Sequence, residues 1–303
     1  MTSATTETPV NIDVYSIVSN QIMSFLQQGS IPWHRSWPDR KPPRNLLSNL
    51  PYRGANVWLL LSTKYEQNLF LSWDQLKSVG GSVKRGEKGH VVVYSKKSTT
   101  DELGKQIPLL RYYKVFNIGQ CTGIPPSLIL NSVPGEVDPL ACAEAVVKEM
   151  PACPPIKHRK QRAFYDPGTD IVNMFSLKTC PSPVAYYRAL FRQLVHSTGH
   201  ASRLNRPTIA GMLEHGSDPY SLESCIAELG ACYLCSLCGL GHADAKFDLV
   251  YLEQWTGALM GDKSFILSAS TQAQRAVDYI LNYSPGASDE QQAEEGAGGQ
   301  NEK

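Results

Sequence analysis

Two histidines and one glutamate in the second half of the chain are residue types that bind metals or transfer protons. His196 and His200 lie four residues apart in the stretch FRQLVHSTGH. On one continuous helix, this spacing places both imidazoles on the same face, where they could share a metal ion. Gly199 lies between them and favours a helix end. The spacing alone therefore leaves open whether the two rings meet.

Glu228 is the only acidic residue between Cys225 and His242, a stretch that is otherwise almost entirely apolar or small. A carboxylate on a buried helix is costly unless it is paired with a cation or bound to a metal. We therefore expect Glu228 to face a cation, with exposure at the rim of the domain as the alternative. Glu223 lies near the start of the same predicted helix, where the helix dipole explains an acidic residue.

Helix signals predict the elements that carry these residues. Ser182 followed by Pro183 predicts a helix start, and this helix is expected to run through FRQLVHS to Gly199. A second helix is predicted from Ser221 to about Cys238, and two more fill 246–282. Upstream, RAFYDPGTDIVNMF predicts two short strands.

The first half of the chain predicts helices and a hairpin. DVYSIVSNQIMSFLQQG has apolar residues at helical spacing and predicts a helix that ends at Gly29. Prolines exclude regular structure from SIPWHRSWPDRKPPRN. A short helix is predicted at 54–65, and Ser72 with Gln75 predicts a capping box. Two strands within 83–118 predict a hairpin.

The chain is long enough for two domains, because it has 303 residues and 42% apolar content. We predict an α+β fold, with a small mixed helix and hairpin domain followed by a mainly helical domain. The expected segments are, in order, a flexible tail at 1–12, the first domain at 13–126, a linker at 127–155, the second domain at 156–283 and a disordered acidic tail at 284–303.

Charge and aromatic residues indicate a nucleic-acid partner for the first half. Residues 1–126 carry 15 Lys and Arg against 8 Asp and Glu, whereas the remainder is net acidic. Single-stranded nucleic acid is bound by such mixtures, because rings stack on exposed bases at about 1–3 kcal/mol each while cations follow the phosphates. Trp58, within VWLLL, is expected in the core. For Trp33, among prolines and arginines, stacking and core remain open.

Several classes of protein are excluded by composition. The first ten residues, MTSATTETPV, lack the basic start and apolar run of a secretory signal. No stretch approaches the roughly 18 apolar residues of a membrane span. Eight cysteines at irregular spacing argue against a disulfide framework. We expect a cytoplasmic protein without a membrane partner.

The motif order IPWHRSW, PRNLLSNLPYRGANVWLLL, SWDQLKSVGGSVKRGEKGHVVVYSKK and YYKVFNIGQCTGIP closely resembles the N-terminal domain of ArdC-type antirestriction proteins. Conjugative plasmids and phages carry these proteins. The resemblance implies single-stranded DNA binding by this domain. Together with the charge pattern, it makes the candidate DNA-binding residues Trp33, Arg44, Asn45, Tyr52, Arg53, Asn56, Lys84, Arg85 and Lys88.

The second half resembles the zincin-like metallopeptidase domain of the same family, through YYRALFRQLVHSTGHASRLNR and YSLESCIAELGACYL. Family members usually carry HExxH, in which two histidines bind zinc and the glutamate activates water. The resemblance places Arg192 at the first histidine, Gln193 at the glutamate and His196 at the second histidine. Arginine cannot bind a metal and glutamine cannot act as a general base. The motif is therefore degraded at two positions.

The resemblance implies that Glu228 belongs to the motif that supplies the third ligand. The candidate metal set is His196, Glu228 and His200, with zinc or another divalent metal as the cofactor. The alternative is no cofactor, with the Arg192 guanidinium paired to the Glu228 carboxylate in place of the metal.

We expect an antirestriction protein of a mobile element that binds single-stranded DNA and carries a pseudo-peptidase domain. One alternative is a metallopeptidase with a rebuilt site that acts on a host protein. Another is a DNA-independent inhibitor that binds a host restriction or DNA-processing protein.

Overall fold

The structure, a computed structural model, describes residues 13–28, 31–34, 37, 41–63, 65–100, 106–130, 138–158, 161–210, 218–241, 249–284 and 286. The predicted tail at 1–12 and almost all of the tail at 284–303 lie outside these residues. The tip of the predicted hairpin, near Asp101, also lies outside them.

The first half contains helices packed on a sheet, as predicted. The helices are α1 (Val14–Gln27), α2 (Ala55–Leu61), α3 (Trp73–Ser78) and α4 (Pro126–Leu130). The strands of the main sheet follow the order β1 (Arg44–Asn45), β2 (Leu69–Ser72), β5 (Gln106–Asn117) and β4 (His90–Thr100). Two short strands, β3 (Ser82–Val83) and β6 (Cys121–Thr122), pair separately. Strands β4 and β5 are antiparallel and form the predicted hairpin.

Local signals explain where the helices of the first half begin. The Asp13 carboxylate accepts a hydrogen bond from the Tyr15 amide at 3.1 Å and caps α1. Ser72 and Gln75 form the predicted capping box at α3, with each side chain bonded to the other residue's backbone. Both boundaries therefore follow from side chains that satisfy the free amides of a helix start.

The second half is mainly helical. A small sheet has the order β7 (Ile156–Lys157), β9 (Ile171–Asn173) and β8 (Phe164–Asp166). The helices are α5 (Pro139–Glu149), α6 (Pro183–Ser197), α7 (Pro207–Ala210), α8 (Asp218–Cys238), α9 (Leu249–Gly261) and α10 (Phe265–Ile280). The fold is α+β, and it contains the predicted main helices, the hairpin and the two strands β8 and β9. The short strands β1, β2, β3, β6 and β7 and the helices α4 and α7 were not predicted, and β1 lies in the proline-rich stretch for which no regular structure was expected.

One hydrophobic core joins the two halves. Trp33 of the first half packs edge-on against Trp255 of α9, with ring centroids 6.0 Å apart. Trp37 packs in the same way against Tyr233 of α8 at 4.7 Å. The two predicted domains therefore share one large cluster, and the first half also has two smaller clusters of its own.

Part of the predicted linker belongs to this shared core. Helix α5 buries Ala143 and Val146, and Met150 follows them into the same cluster. Pro139 is the first residue of α5 and Pro151 follows its end, so these prolines bound a packed helix. The window 221–238 of α8 is long and apolar enough to cross a membrane, but 89% of it is buried inside the protein. Helix α8 is therefore the central helix of the core.

Candidate functional site

Helices α6 and α8 pack side by side and carry the candidate site. Ser182 caps α6 through a hydrogen bond from the Ala185 amide at 3.1 Å, and Pro183 occupies the first turn. A Cβ added to Gly230 of α8 would lie 2.7 Å from Val195 Cγ2 of α6, so the two helices approach closely there. On α6, Arg188, Arg192 and His196 recur every four residues and share one face.

Two guanidinium groups bind the buried carboxylate of Glu228. Arg192 Nη1 lies 2.5 Å from Oε2, and Arg188 Nη2 lies 2.6 Å from Oε1. Nη2 of the same Arg192 guanidinium also donates to Ser224 Oγ at 3.2 Å. The contact expected between Arg192 and Glu228 is thus present, and Arg188 adds a second one. Arg188 was missed, although its spacing of four residues from Arg192 predicts the same helix face.

His34 brings the first half of the chain into the same cluster. Its Nε2 lies 3.0 Å from Glu228 Oε1 and 3.2 Å from Arg188 Nη2. One ring nitrogen cannot donate to the carboxylate and accept from the guanidinium at once. The shorter, charge-assisted contact favours donation to Glu228. No signal in the sequence around His34 predicts this contact, because it joins residues 194 positions apart.

These partners set the protonation of Glu228. Burial alone would raise its pKa, but the hydrogen bond from His34 and the charges of Arg192 and Arg188 hold that pKa well below the usual value. The carboxylate is therefore ionised at neutral pH and is neutralised by fixed cations.

The donor set does not fit a zincin metal ion. Among the described residues, the only group of three His, Cys, Asp or Glu donors within 4.8 Å of one another is His34, Glu228 and Cys232. The carboxylate in that group already holds two guanidinium ions, which would repel a divalent cation. Burial and the nearby Glu228 carboxylate raise the pKa of the Cys232 thiol, which disfavours the thiolate that metals require.

His196 lies in a second cluster, built around Glu223. Its Nδ1 lies 3.1 Å from Glu223 Oε1, and the same carboxylate accepts from Arg206 at 2.8 Å and from Thr208 at 2.6 Å. A carboxylate on Nδ1 is how metal-binding histidines are commonly oriented. His196 therefore keeps the supporting contact of a zincin histidine. Burial lowers the pKa of His196 and favours the neutral ring.

The predicted metal set His196, Glu228 and His200 does not converge. His200 follows the end of α6 at Ser197, and its Nδ1 lies 2.8 Å from Ser202 Oγ. The helix ends before His200, so the four-residue spacing no longer places it on the face of His196. Gln193, at the position of the general base, is buried on α6.

Five candidate DNA-binding residues have roles within the fold. Trp33 is 1% exposed and Tyr52 is 5% exposed, so neither ring can stack on a base in this fold. Arg44 is buried and donates to Asn49 Oδ1 at 3.1 Å. Asn45 is also buried, and its Oδ1 accepts from the amides of the turn that follows β1. These four buried side chains stabilise the fold and are not available for the DNA contacts predicted for them. Asn56 bonds both backbone groups of Val93.

The remaining candidates divide into one paired and three exposed cations. Arg53 forms an ion pair with Asp278 of α10 and lies over the ring of Tyr283. Lys84, Arg85 and Lys88 are exposed on the turn between β3 and β4. Lys84 Nζ donates to the Gly119 carbonyl at 2.7 Å, which anchors the turn beside β6.

Two family models match the chain. Residues 12–116 match the N-terminal domain of anti-restriction factor ArdC. Residues 141–272 match the zincin-like metallopeptidase family.

The chain matches one curated relative over nearly its whole length and another over only part of it. The uncharacterized protein y4eC of Sinorhizobium fredii is 28% identical, and the match covers 92% of this chain and 94% of that protein. A DNA primase TraC of Escherichia coli is 29% identical over 88% of this chain. The chain spans only 27% of that primase.

Two solved structures also match the chain over most of its length. The Mn(II)-bound crystal structure of the antirestriction ArdC protein from the R388 plasmid has a TM-score of 0.72 and 30% identity, and covers 89% of this chain and 98% of that one. The metal-free structure has a TM-score of 0.71 and 32% identity, covering 90% and 100%. The chain therefore belongs to the ArdC family of antirestriction proteins, and it combines the family's N-terminal domain with a zincin-like domain.

Proposed function

We propose that this protein binds single-stranded DNA of a mobile element and that its zincin-like domain has no peptidase activity. The observation that carries the second part is the pair of guanidinium groups on Glu228 at 2.5 and 2.6 Å. A fixed cation cluster stands where a zincin would use a carboxylate and histidines for a metal. In this proposal, ion pairs from Arg188 and Arg192 to Glu228 take the place of the metal ion.

Two further observations support the loss of activity. Gln193 cannot deprotonate water, so the general base is missing. His34 lies against Glu228 from the other half of the chain and is a third partner of the carboxylate that a metal would need. The solved relative has a Mn(II)-bound form, and we infer that this chain does not bind a divalent metal at Glu228.

A peptidase assay tests the loss of activity. We expect the purified full chain, incubated with an unfolded protein and Zn²⁺ or Mn²⁺, to give no chelator-sensitive cleavage. Metal analysis after dialysis is expected to give well below one ion per chain. Cleavage that disappears in His196→Ala, or stoichiometric metal that disappears in Glu228→Ala, would instead support the rebuilt metal site.

The case for DNA binding rests on the exposed turn between β3 and β4. Lys84, Arg85 and Lys88 project from it without a described carboxylate partner within ion-pair distance. Such cations contact phosphates and release counterions, so binding weakens as salt rises. Contacts with phosphates do not depend on the identity of the bases, so we expect little sequence preference.

Fluorescence anisotropy with labelled oligo(dT) tests this part. We expect the full chain to bind at low salt, and the triple change of Lys84, Arg85 and Lys88 to Ala to weaken binding and flatten its dependence on salt. The matched control changes Lys148, Lys178 and Arg275 to Ala, three exposed cations of the second half. If both triple variants bind alike, the turn is not the DNA site. If the wild type does not bind at low salt, the DNA proposal fails.

The place and partner of action are proposals as well. We propose action in the cytoplasm, where a mobile element arrives as a single strand. A host restriction or DNA-processing protein remains the expected protein partner.

A further inference from the structure

Trp73 differs from every other tryptophan of the chain. The other four, Trp33, Trp37, Trp58 and Trp255, are between 1% and 4% exposed, whereas Trp73 is 39% exposed. A large apolar ring that stays exposed to water contributes less burial free energy than a ring in the core. Its exposure therefore suggests a role in binding.

The exposed ring is held in a defined place. Trp73 is the first residue of α3, directly after the Ser72 capping box. Its ring rests on Phe116 of β5, with centroids 5.9 Å apart. Lys77, one turn further along α3, places Nζ 5.2 Å from the centre of the Trp73 ring. The cap and the sheet therefore fix the ring on the surface without burying it.

The cationic turn lies beside this ring. A Cβ on Gly89 would lie 3.1 Å from the Phe116 ring and 3.0 Å from Lys114 Cβ. Phe116 thus separates Trp73 from the end of the 84–88 turn. Lys114 is exposed on β5 next to the same point.

Cations outnumber acids around the ring. The exposed cations are Lys77, Lys84, Arg85, Lys88 and Lys114, and the exposed acids are Asp74 and Glu87. Glu87 accepts a hydrogen bond from Gln120 at 2.9 Å, which directs that carboxylate toward the protein. An exposed aromatic ring bordered by cations has the composition of a single-strand binding platform.

We propose that Trp73 stacks on an unpaired base of a single DNA strand, while Lys77, Lys114 and the 84–88 turn contact the flanking phosphates. This rests on the proposed function, because it locates the DNA site. Lys77 is on a flexible stem, so a base can replace its ammonium over the ring and the ammonium can move to a phosphate. Duplex bases are already stacked on each other, so the platform selects single strands.

Tryptophan fluorescence tests the proposal on the full chain. Oligo(dT) should quench the wild type, because a stacked base contacts the exposed indole. Trp73→Phe should lose this quenching while its affinity, followed by anisotropy of labelled oligo(dT), stays within a few-fold of the wild type. Trp73→Ala should lower the affinity by roughly 10- to 100-fold, the loss of one stacked base.

Matched variants separate this site from other effects. Tyr15→Ala removes a ring that is 40% exposed on α1 and should leave binding unchanged. Lys77→Ala should reduce the salt dependence and keep the quenching. Circular dichroism of each variant checks that the fold is kept, and Trp73→Phe retains a ring on Phe116.

The outcomes distinguish the platform from the broader function. If the wild type binds and Trp73→Ala binds with the same affinity, the stacking proposal is wrong but DNA binding stands. The same conclusion follows if oligo(dT) still quenches the fluorescence of Trp73→Phe. A wild type that does not bind oligo(dT) would overturn both. Quenching by duplex DNA equal to that by oligo(dT) would contradict stacking on unpaired bases, and oligo(U) shows whether the site distinguishes DNA from RNA.

Discussion

The residues around Glu228 contribute unequally to stability. Removing Glu228 strands two guanidinium groups in a partly buried site, whereas removing Arg192 leaves the carboxylate with Arg188 and His34. This corrects the expectation from the sequence, which considered Arg192 alone. The cost of a change depends on which charges keep a partner.

We expect Glu228→Ala to lower the free energy of unfolding by about 3–5 kcal/mol, and Arg192→Ala by about 1–3 kcal/mol. The double variant should cost less than the sum of the two, because the changes share one interaction. Urea unfolding followed by circular dichroism measures all three. Glu149→Ala, an exposed acid on α5, is the control. A larger cost for Arg192→Ala than for Glu228→Ala would refute this order.

Glu223 makes stability depend on pH in the acid range. Burial alone would raise its pKa, but hydrogen bonds from His196 and the charge of Arg206 lower it from 4.5 to about 2. A lowered folded-state pKa gives stabilisation that is complete above pH 4.5 and is lost as pH falls toward 2. The contribution is roughly 3 kcal/mol, because one pKa unit corresponds to about 1.4 kcal/mol. The difference in Tm between wild type and Glu223→Gln should therefore narrow over that range. A constant difference would contradict the assignment.

At the scale of elements, the close approach of α6 and α8 depends on Gly230. A Cβ there would lie 2.7 Å from Val195 Cγ2 and 3.0 Å from Cγ1. Valine has one strongly preferred rotamer in a helix, so Val195 cannot turn away. Except for His34, the residues that contact Glu228 lie on these two helices, and the helix spacing sets the short contacts to Glu228.

We expect Gly230→Ala to lower the free energy of unfolding by about 1–3 kcal/mol, because the clash outweighs the gain in helix propensity of about 1 kcal/mol. Val195→Ala made in the same chain should recover part of the loss by giving room to the new methyl group. Chemical unfolding of the three variants measures this. An increase in stability for Gly230→Ala alone would show that the helices move apart freely.

At the scale of the whole molecule, the shared core predicts that both halves unfold together. Trp33 and Trp37 of the first half are buried against α8 and α9 of the second. If the second half opened alone, the first half would lose the apolar partners of the shared cluster and keep only its two smaller clusters. Cooperative unfolding is the consequence of such a continuous core.

We expect one transition in urea, with tryptophan fluorescence and far-UV circular dichroism giving the same midpoint. Trp33→Ala should lower the free energy of unfolding by about 3–5 kcal/mol. The midpoint should fall, and the unfolding curve should still show one transition. The control is Trp73→Ala, whose ring is exposed and which should change the midpoint little. Two separate transitions in the wild type would show that the halves fold independently.

The main helices and the β4–β5 hairpin can be predicted from the sequence, because caps, prolines and apolar spacing act over a few residues. Ser72 with Gln75 and Ser182 with Pro183 predicted helix starts that the structure contains. The lone acid Glu228 in an apolar stretch also predicted a buried cation, because an unpaired buried carboxylate is too costly.

Which rings are buried and which distant groups meet depends on the tertiary packing. Trp33 and Trp73 have the same side chain, but packing against Trp255 buries Trp33, whereas Trp73 contacts Phe116 and stays 39% exposed. His34 reaches Glu228 across 194 positions, through the packing of one half of the chain on the other. Such contacts depend on long-range packing, which local sequence signals do not encode.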